Sequence, residues 1–150
     1  MREFKFRGKT YRGEWIIGSL KDDRGHTSIG RRAFYFSIPA ETAGVPRKED
    51  SYWTSDYVNS VTVGQFTGVR DVQGHEIYEG DIVDVDYILY DPWDDAEESL
   101  EPMRCVVVYE DFGFRFKKEE DLSYFLNDVK NIKVIGNIHD NPDLLKGGAQ

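Results

Sequence analysis

The stretch that decides the fold class reads Ile82-Val83-Asp84-Val85-Asp86-Tyr87-Ile88-Leu89-Tyr90. Apolar and acidic side chains alternate along it, which assigns one face to Val83, Val85, Tyr87 and Leu89 and the other to Asp84 and Asp86. Successive side chains of a β-strand point to opposite faces, so a period of two is typical of a strand with one buried face. We therefore predict a half-buried strand over residues 82–90.

Further short β segments, separated by turn-forming residues, lie on both sides of this strand. Asp71-Val72-Gln73-Gly74 predicts a type I turn followed by a glycine with positive φ, and Lys21-Asp22-Asp23-Arg24-Gly25 predicts a hairpin turn. The loop-like composition of residues 40–50 places a domain boundary there. We expect a basic β segment over residues 1–50 and a β core over residues 51–150. Branched and aromatic residues predict strands over 27–29, 33–38, 60–66, 104–109, 114–116 and 132–138.

Two short helices are expected towards the C-terminus. Residues 119–121 are all acidic, as favoured in the first turn of a helix, and apolar residues follow at near-helical spacing as far as Val129. Asn141-Pro142-Asp143 is typical of a helix cap with proline at the first helical position. The predicted fold class is mainly β, a small SH3-like barrel with an N-terminal β extension and one or two short helices.

Length and composition limit the class of protein. A chain of 150 residues, 14% of them aromatic, is the size of one ordinary domain and has enough large side chains to fill a core. Cys105 is the only cysteine and has valine neighbours, which predicts a buried thiol and excludes an internal disulfide, a multi-cysteine zinc site and a CxxC motif. No apolar run has the length of a signal peptide or membrane span, so we expect a soluble cytoplasmic protein.

Charge is unevenly divided along the chain. The net charge is −9, but residues 1–48 contain 11 basic and 5 acidic residues, whereas residues 49–150 contain 8 and 23. Residues 91–101 hold six acids around Trp93, which we interpret as a solvated loop, with a cation site or a mimic of nucleic-acid phosphates as alternatives. The acidity excludes a uniformly basic surface but leaves a local one. The division also predicts contact between the basic and acidic parts, within one chain or between chains.

Three motifs carry a family resemblance. The central one reads Val63-Gly64-Gln65-Phe66-Thr67-Gly68-Val69-Arg70-Asp71-Val72-Gln73-Gly74-His75-Glu76-Ile77-Tyr78-Glu79-Gly80-Asp81-Ile82-Val83. The N-terminal one reads Lys5-Phe6-Arg7-Gly8-Lys9 followed by Gly13-Glu14-Trp15-Ile16-Ile17-Gly18-Ser19-Leu20. The C-terminal one reads Val134-Ile135-Gly136-Asn137-Ile138-His139-Asp140-Asn141-Pro142-Asp143-Leu144-Leu145. Together they resemble the YopX-like family of phage and prophage proteins. The resemblance implies a β-rich fold carried on mobile genetic elements in a bacterial host cell, and it supplies no catalytic residues.

The central motif has two interpretations. Three of its glycines, Gly68, Gly74 and Gly80, fall at six-residue intervals and, together with Asp71 and Asp81, are typical of residues that form two turns and the start of a strand. Trp93 is a separate binding candidate, because an aromatic side chain amid carboxylates is either packed onto the protein's own surface or held for a partner. The alternative interpretation of the motif is a ligand site formed by Gln65, Tyr78, Glu79 and Asp81.

Common catalytic signatures are missing from the sequence. The histidines at 26, 75 and 139 fall in no metal-binding spacing, and no nucleophile elbow or phosphate-binding glycine loop occurs. We therefore expect no metal and no cofactor. Basic residues alternate with aromatic ones near the N-terminus, which makes Arg7 and Arg12 candidates for contact with nucleic acid. A solvent-facing edge strand is the alternative.

These observations favour a non-enzymatic phage or prophage protein that acts through protein contact or self-association. The expected partners are further copies of the chain and a host or phage protein, with no membrane involved. A nucleic-acid-related role is the alternative, by local binding at the N-terminus or by acidic DNA mimicry. A metal-assisted hydrolase using Asp and His is a third hypothesis.

Overall fold

The computed structural model describes residues 4–23, 25–34, 51–89, 99–119, 122–125 and 128–146. Their fold is mainly β, which confirms the predicted class. The chain divides into an N-terminal unit, Phe4–Val63, and a C-terminal unit that contains Gly64–Gln150. The described strands are β1 Phe6–Thr10, β2 Trp15–Asp23, β3 His26–Phe34, β4 Ser51–Arg70, β5 Glu76–Tyr78, β6 Asp81–Leu89, β7 Ser99–Glu110, β8 Gly113–Glu119, β9 Leu122–Tyr124 and β10 Val129–Asn137.

The N-terminal unit contains an antiparallel sheet that runs from β1 through β2 and β3 to β4, and β1 also pairs with β4. Lys9 lies opposite Trp15 in the first pair of strands, and Ser28 lies opposite Tyr57 in the third. The buried residues are Ile16, Ile29 and Val58, with Phe6 and Val63 packed against them. Burial of these few side chains is the hydrophobic contribution to the unit's stability.

The C-terminal unit contains a five-stranded antiparallel sheet in the order β10-β6-β7-β8-β9. The strand predicted over residues 82–90 is confirmed as β6. Val83 and Val85 of its apolar face are buried, Tyr87 is half-buried, and Ile82 at the start of the other face is buried as well. The end of β4 pairs with β5, where Phe66 lies opposite Tyr78. The core of this unit is formed by Ile77, Val83, Val85, Cys105, Val107, Phe116 and Val129.

One fold prediction is not confirmed in its finer part, and another is wrong. The described strands of the C-terminal unit show no clear closed SH3-like barrel, because its five-stranded sheet has β10 at one edge and β9 at the other. The helix predicted from the acidic residues 119–121 to Val129 is wrong, since among the residues described there Leu122–Tyr124 form β9 and Val129 begins β10. Tyr124 of β9 pairs with Phe116 of β8, and its ring lies 4.8 Å from that of Tyr87. Tertiary pairing thus overrides the local helical spacing.

The C-terminal helix prediction is confirmed in a shorter form. Pro142–Leu145 is a 3-10 helix with proline in its first turn. Arg104 of β7 donates to the Leu144 carbonyl oxygen at 3.1 Å and to both carboxylate oxygens of Asp84 at 2.8 and 3.2 Å. The Arg104 guanidinium thus connects the 3-10 helix to the sheet. No helix among the described residues is long and apolar enough to cross a membrane.

Candidate functional site

The residues predicted as an alternative ligand site surround one backbone turn. Glu79 N–H donates to the Gln65 carbonyl oxygen at 3.0 Å, and Tyr78 N–H donates to Asp81 Oδ2 at 2.7 Å. Asp81 is only 1% exposed, and Gly80, which lies between Glu79 and Asp81, has a φ of 92°. The structure therefore brings Gln65, Tyr78, Glu79 and Asp81 together and gives their backbone groups and one carboxylate a role in the turn. A ligand role for them stays a prediction.

This turn joins the central motif to β7 and to the C-terminal motif. Gly80 N–H donates to the Val107 carbonyl oxygen at 2.8 Å, and Ile138 N–H donates to the Gly80 carbonyl oxygen at 2.9 Å. Tyr78 is buried, and its hydroxyl donates to Glu76 Oε1 at 3.2 Å. Two motifs far apart in sequence thus form one structural unit.

Asp71 organises the other turn of the central motif. Its buried carboxylate accepts N–H groups of Gln73 at 2.9 Å, His75 at 2.8 Å and Val134 at 3.0 Å. Gly74 has a φ of 85°, as predicted for the residue that ends this turn. Desolvation alone would raise the pKa of Asp71, but the N–H groups of Val134, His75 and Gln73, with the His75 ring, hold the pKa below its ordinary value.

The candidate nucleic-acid residues lie on different elements of the N-terminal unit. Arg7 is in β1, and its guanidinium carbon lies 4.9 Å from the centroid of the Trp15 ring, with Lys9 Nζ at 6.0 Å from the same ring. Such cation–π contacts fix the orientation of a basic side chain. Arg12 is exposed in the turn that follows β1. The structure therefore places one candidate against an aromatic ring and the other in solvent, and it leaves Trp93 outside the described residues.

An open cleft in the N-terminal unit was missed by the sequence analysis. It has a volume of about 450 Å³ and is lined by Tyr11, Gly25, His26, Thr27, Tyr57, Val58 and Ser60. The turns after β1 and β2 supply its first lining residues, and both turns have sequence signals. The missing information was the pairing of Ser28 with Tyr57, which brings β4 to the cleft.

Aromatic rings and hydroxyl groups determine what the cleft can bind. The rings of His26 and Tyr57 meet edge to face, with centroids 5.6 Å apart. Tyr11 is 77% exposed and Tyr57 is 53% exposed, so both offer apolar ring surface to a visiting group. Among the described lining residues there is no carboxylate and no thiol. The cleft can hold an apolar or aromatic group, with hydrogen-bonding groups at its wall.

Metal ligands do not converge in the part of the chain that the structure describes. No group of three or more His, Cys, Asp or Glu side chains there has the arrangement of a metal site. His75 lies 3.4 Å from the Asp71 carboxylate, and this contact belongs to the turn described above.

These observations define a mainly β protein with two antiparallel sheets. Among its described residues it has a signature of two turns whose aspartates, Asp71 and Asp81, are buried, and an open aromatic cleft. The family model described as YopX protein matches residues 5–146, and the chain belongs to the YopX family. The resemblance inferred from the motifs is thus confirmed.

One solved structure supports the fold. The crystal structure of protein EF1440 from Enterococcus faecalis is similar, with a TM-score of 0.55 and 24% sequence identity over 97% of this chain and 100% of that one. At this level of identity the similarity concerns the fold alone. No curated protein matches this chain.

Proposed function

We propose that this protein is a non-enzymatic phage or prophage protein that acts by protein contact, through the cleft of its N-terminal unit. The cleft receives an apolar side chain of a protein partner. The observation that carries this proposal is the lining of the cleft: exposed tyrosine rings, a histidine ring and hydroxyl groups around an opening of about 450 Å³.

The surroundings of the cleft also favour protein contact over chemistry. His26 and Ser60 both line it, but among its described lining residues no carboxylate accompanies them to orient a histidine base. The same unit exposes further large apolar side chains: Phe4, Ile17, Leu20 and Val61. Contiguous exposed apolar patches on a protein surface commonly mark sites of protein contact.

A fragment titration tests the proposed cleft. N-acetyl-phenylalanine amide added to the isotope-labelled full chain should give saturable NMR shifts at Gly25, His26 and Thr27, because its ring enters the cleft. N-acetyl-alanine amide is the matched probe without a ring and should give none. Ser60→Trp should abolish the response, since Ser60 is exposed on β4 and a larger side chain there fills the cleft.

Two results would overturn the proposal. Equal shifts with the alanine and phenylalanine probes would show that no ring is recognised. Saturable phenylalanine shifts confined to residues outside the cleft would place binding elsewhere.

Single-stranded nucleic acid is the second candidate partner of this unit. The specific observation is that exposed Arg12 directly follows Tyr11, which lines the cleft, so that a stacking surface has a basic neighbour for a phosphate. A labelled oligothymidine should then bind with an affinity that falls steeply with salt and drops in Arg12→Ala. Lys133→Ala, an exposed basic residue of the other unit, is the control. A flat titration at low salt removes this candidate.

A further inference from the structure

The tip of the β7–β8 hairpin presents an unusual aromatic side chain. Glu110 pairs with Gly113, so the hairpin turns on the two residues Asp111 and Phe112. Both have positive φ, 50° and 67°. The Phe112 side chain is 99% exposed, the largest exposed fraction among the large apolar residues described.

Turn geometry does not explain a phenylalanine at this position. A two-residue turn with positive φ at both positions favours Asn-Gly or Asp-Gly, because a β-carbon is penalised there. A phenylalanine there is unfavourable in two ways: its β-carbon strains the left-handed backbone, and its apolar ring is exposed to water. Behind the tip, the Tyr109 and Phe114 rings meet edge to face at 5.0 Å and brace the two strands. The Phe112 ring thus projects into solvent from a hairpin whose strands are braced behind it. This is the arrangement expected of a side chain that docks into a partner.

The cleft of the N-terminal unit has the size and lining to receive such a ring. A cavity of about 150 Å³ is enough for benzene, and the cleft measures about 450 Å³. Tyr11, His26 and Tyr57 supply ring edges and faces for aromatic packing. One chain therefore carries both a projecting aromatic side chain and an aromatic-lined opening.

Charge favours a second copy of the chain as the partner. Residues 64–150 contain 20 acidic and 8 basic residues, whereas residues 4–63 contain 7 and 10. Acidic Glu110 and Asp111 precede Phe112, and exposed Arg12 is the sequence neighbour of Tyr11, which lines the cleft. Opposite net charges on the two units steer the acidic unit of one copy towards the basic unit of another.

We infer that the chain self-associates head to tail, with Phe112 of one copy seated in the N-terminal cleft of the next. This inference rests on the proposed function and names its partner. The contact is heterologous, because the two surfaces that meet differ, so repeated addition gives a ring or an open chain of copies.

Sedimentation velocity on full-length variants tests the contact. The wild-type protein should associate with rising concentration at low salt. Phe112→Gly should weaken association about tenfold or more, as expected when a central anchor side chain is lost, and should unfold no earlier than wild type because glycine suits the turn. Ser60→Trp should weaken association equally by filling the cleft. Val72→Ala, at another exposed apolar position of the C-terminal unit, should behave as wild type.

Mixing the two defective variants gives the decisive result. Phe112→Gly retains its cleft and Ser60→Trp retains its Phe112, so an equimolar mixture should form a complex that stops at two copies. Absence of a mixed complex, unchanged association of Phe112→Gly, or a wild-type protein that stays monomeric would each overturn the inference. If the phenylalanine probe still binds the cleft in any of those cases, the proposed function stands and only the partner is wrong.

Discussion

At the scale of single residues, Asp71 shows how one side chain joins distant parts of the chain. Its two carboxylate oxygens accept three backbone N–H groups, two from its own turn and one from Val134 in β10. These hydrogen bonds are charge-assisted, because the acceptor is an ionised carboxylate, and they are stronger than hydrogen bonds between neutral groups. The turn and the last strand are therefore stabilised by the same ionised group.

Asp71→Asn should destabilise the protein by about 1–3 kcal/mol, because the amide nitrogen would face an N–H group and leave it without an acceptor. Chemical denaturation measures the loss. Asp143→Asn, at an exposed carboxylate of the 3-10 helix, is the control and should change little.

The Asp71 contribution should also depend on pH. The pKa of Asp71 lies below its ordinary value of 3.8, so its stabilising contribution is complete above about pH 5 and is lost as the pH falls through 3.8 towards the folded pKa. Unfolding midpoints of the wild type should therefore fall more steeply with acidification than those of Asp71→Asn. Parallel pH profiles for the two proteins would contradict the assignment.

The Cys105 thiol should not react with alkylating reagents in the folded protein. Its side chain is 0% exposed. Burial raises the pKa of the thiol to about 11, with Lys118 opposing and Asp84 adding to the shift. Iodoacetamide at about pH 8 should leave the native mass unchanged and label the protein in denaturant. Labelling of the native protein at the denatured rate would show that the thiol is exposed.

At the scale of elements, predictions succeeded where the local pattern and the tertiary environment agree. The strand predicted from the alternation over residues 82–90 is confirmed by β6, where Val83 and Val85 are buried in the C-terminal core. The helix predicted over residues 119–129 is wrong because pairing with β8 decides the conformation of β9. A spacing of three and four residues over a few apolar positions cannot reveal such a partner strand.

Gly64 gives a prediction at this scale. It is buried in β4, and a β-carbon there would overlap the Glu79 carbonyl oxygen, which the backbone of the adjacent turn holds in place. Gly64→Ala should therefore cost stability at the upper end of the about 1–3 kcal/mol typical of overpacking. Gly113→Ala is the matched control, since a β-carbon there meets no atom within 4 Å. Equal unfolding free energies for the two variants would contradict the close approach.

At the scale of the whole molecule, net charge has opposite consequences for folding and for the inferred association. The net charge of −9 is concentrated in the C-terminal unit. Like charges within a unit repel, whereas oppositely charged units of two copies attract, and salt screens both effects.

Added salt should therefore raise the thermal unfolding midpoint while it weakens association. Relief of about 1 kcal/mol of repulsion corresponds to about 2–4 °C for a chain of this size. Differential scanning calorimetry and sedimentation velocity across one salt series measure the two effects. Association that strengthens with salt would point to a purely apolar contact and would remove the electrostatic part of the inference.

The sequence by itself determined the mainly β class, the family, the turn at Asp71 and the buried state of Cys105, because alternation, turn chemistry and apolar neighbours act over a few residues. Only the tertiary structure decided that β9 is a strand and that Tyr57 joins Tyr11 and His26 at one cleft. Both depend on which strands pair and in which register. Register is set by the burial of whole faces rather than by any local stretch of residues.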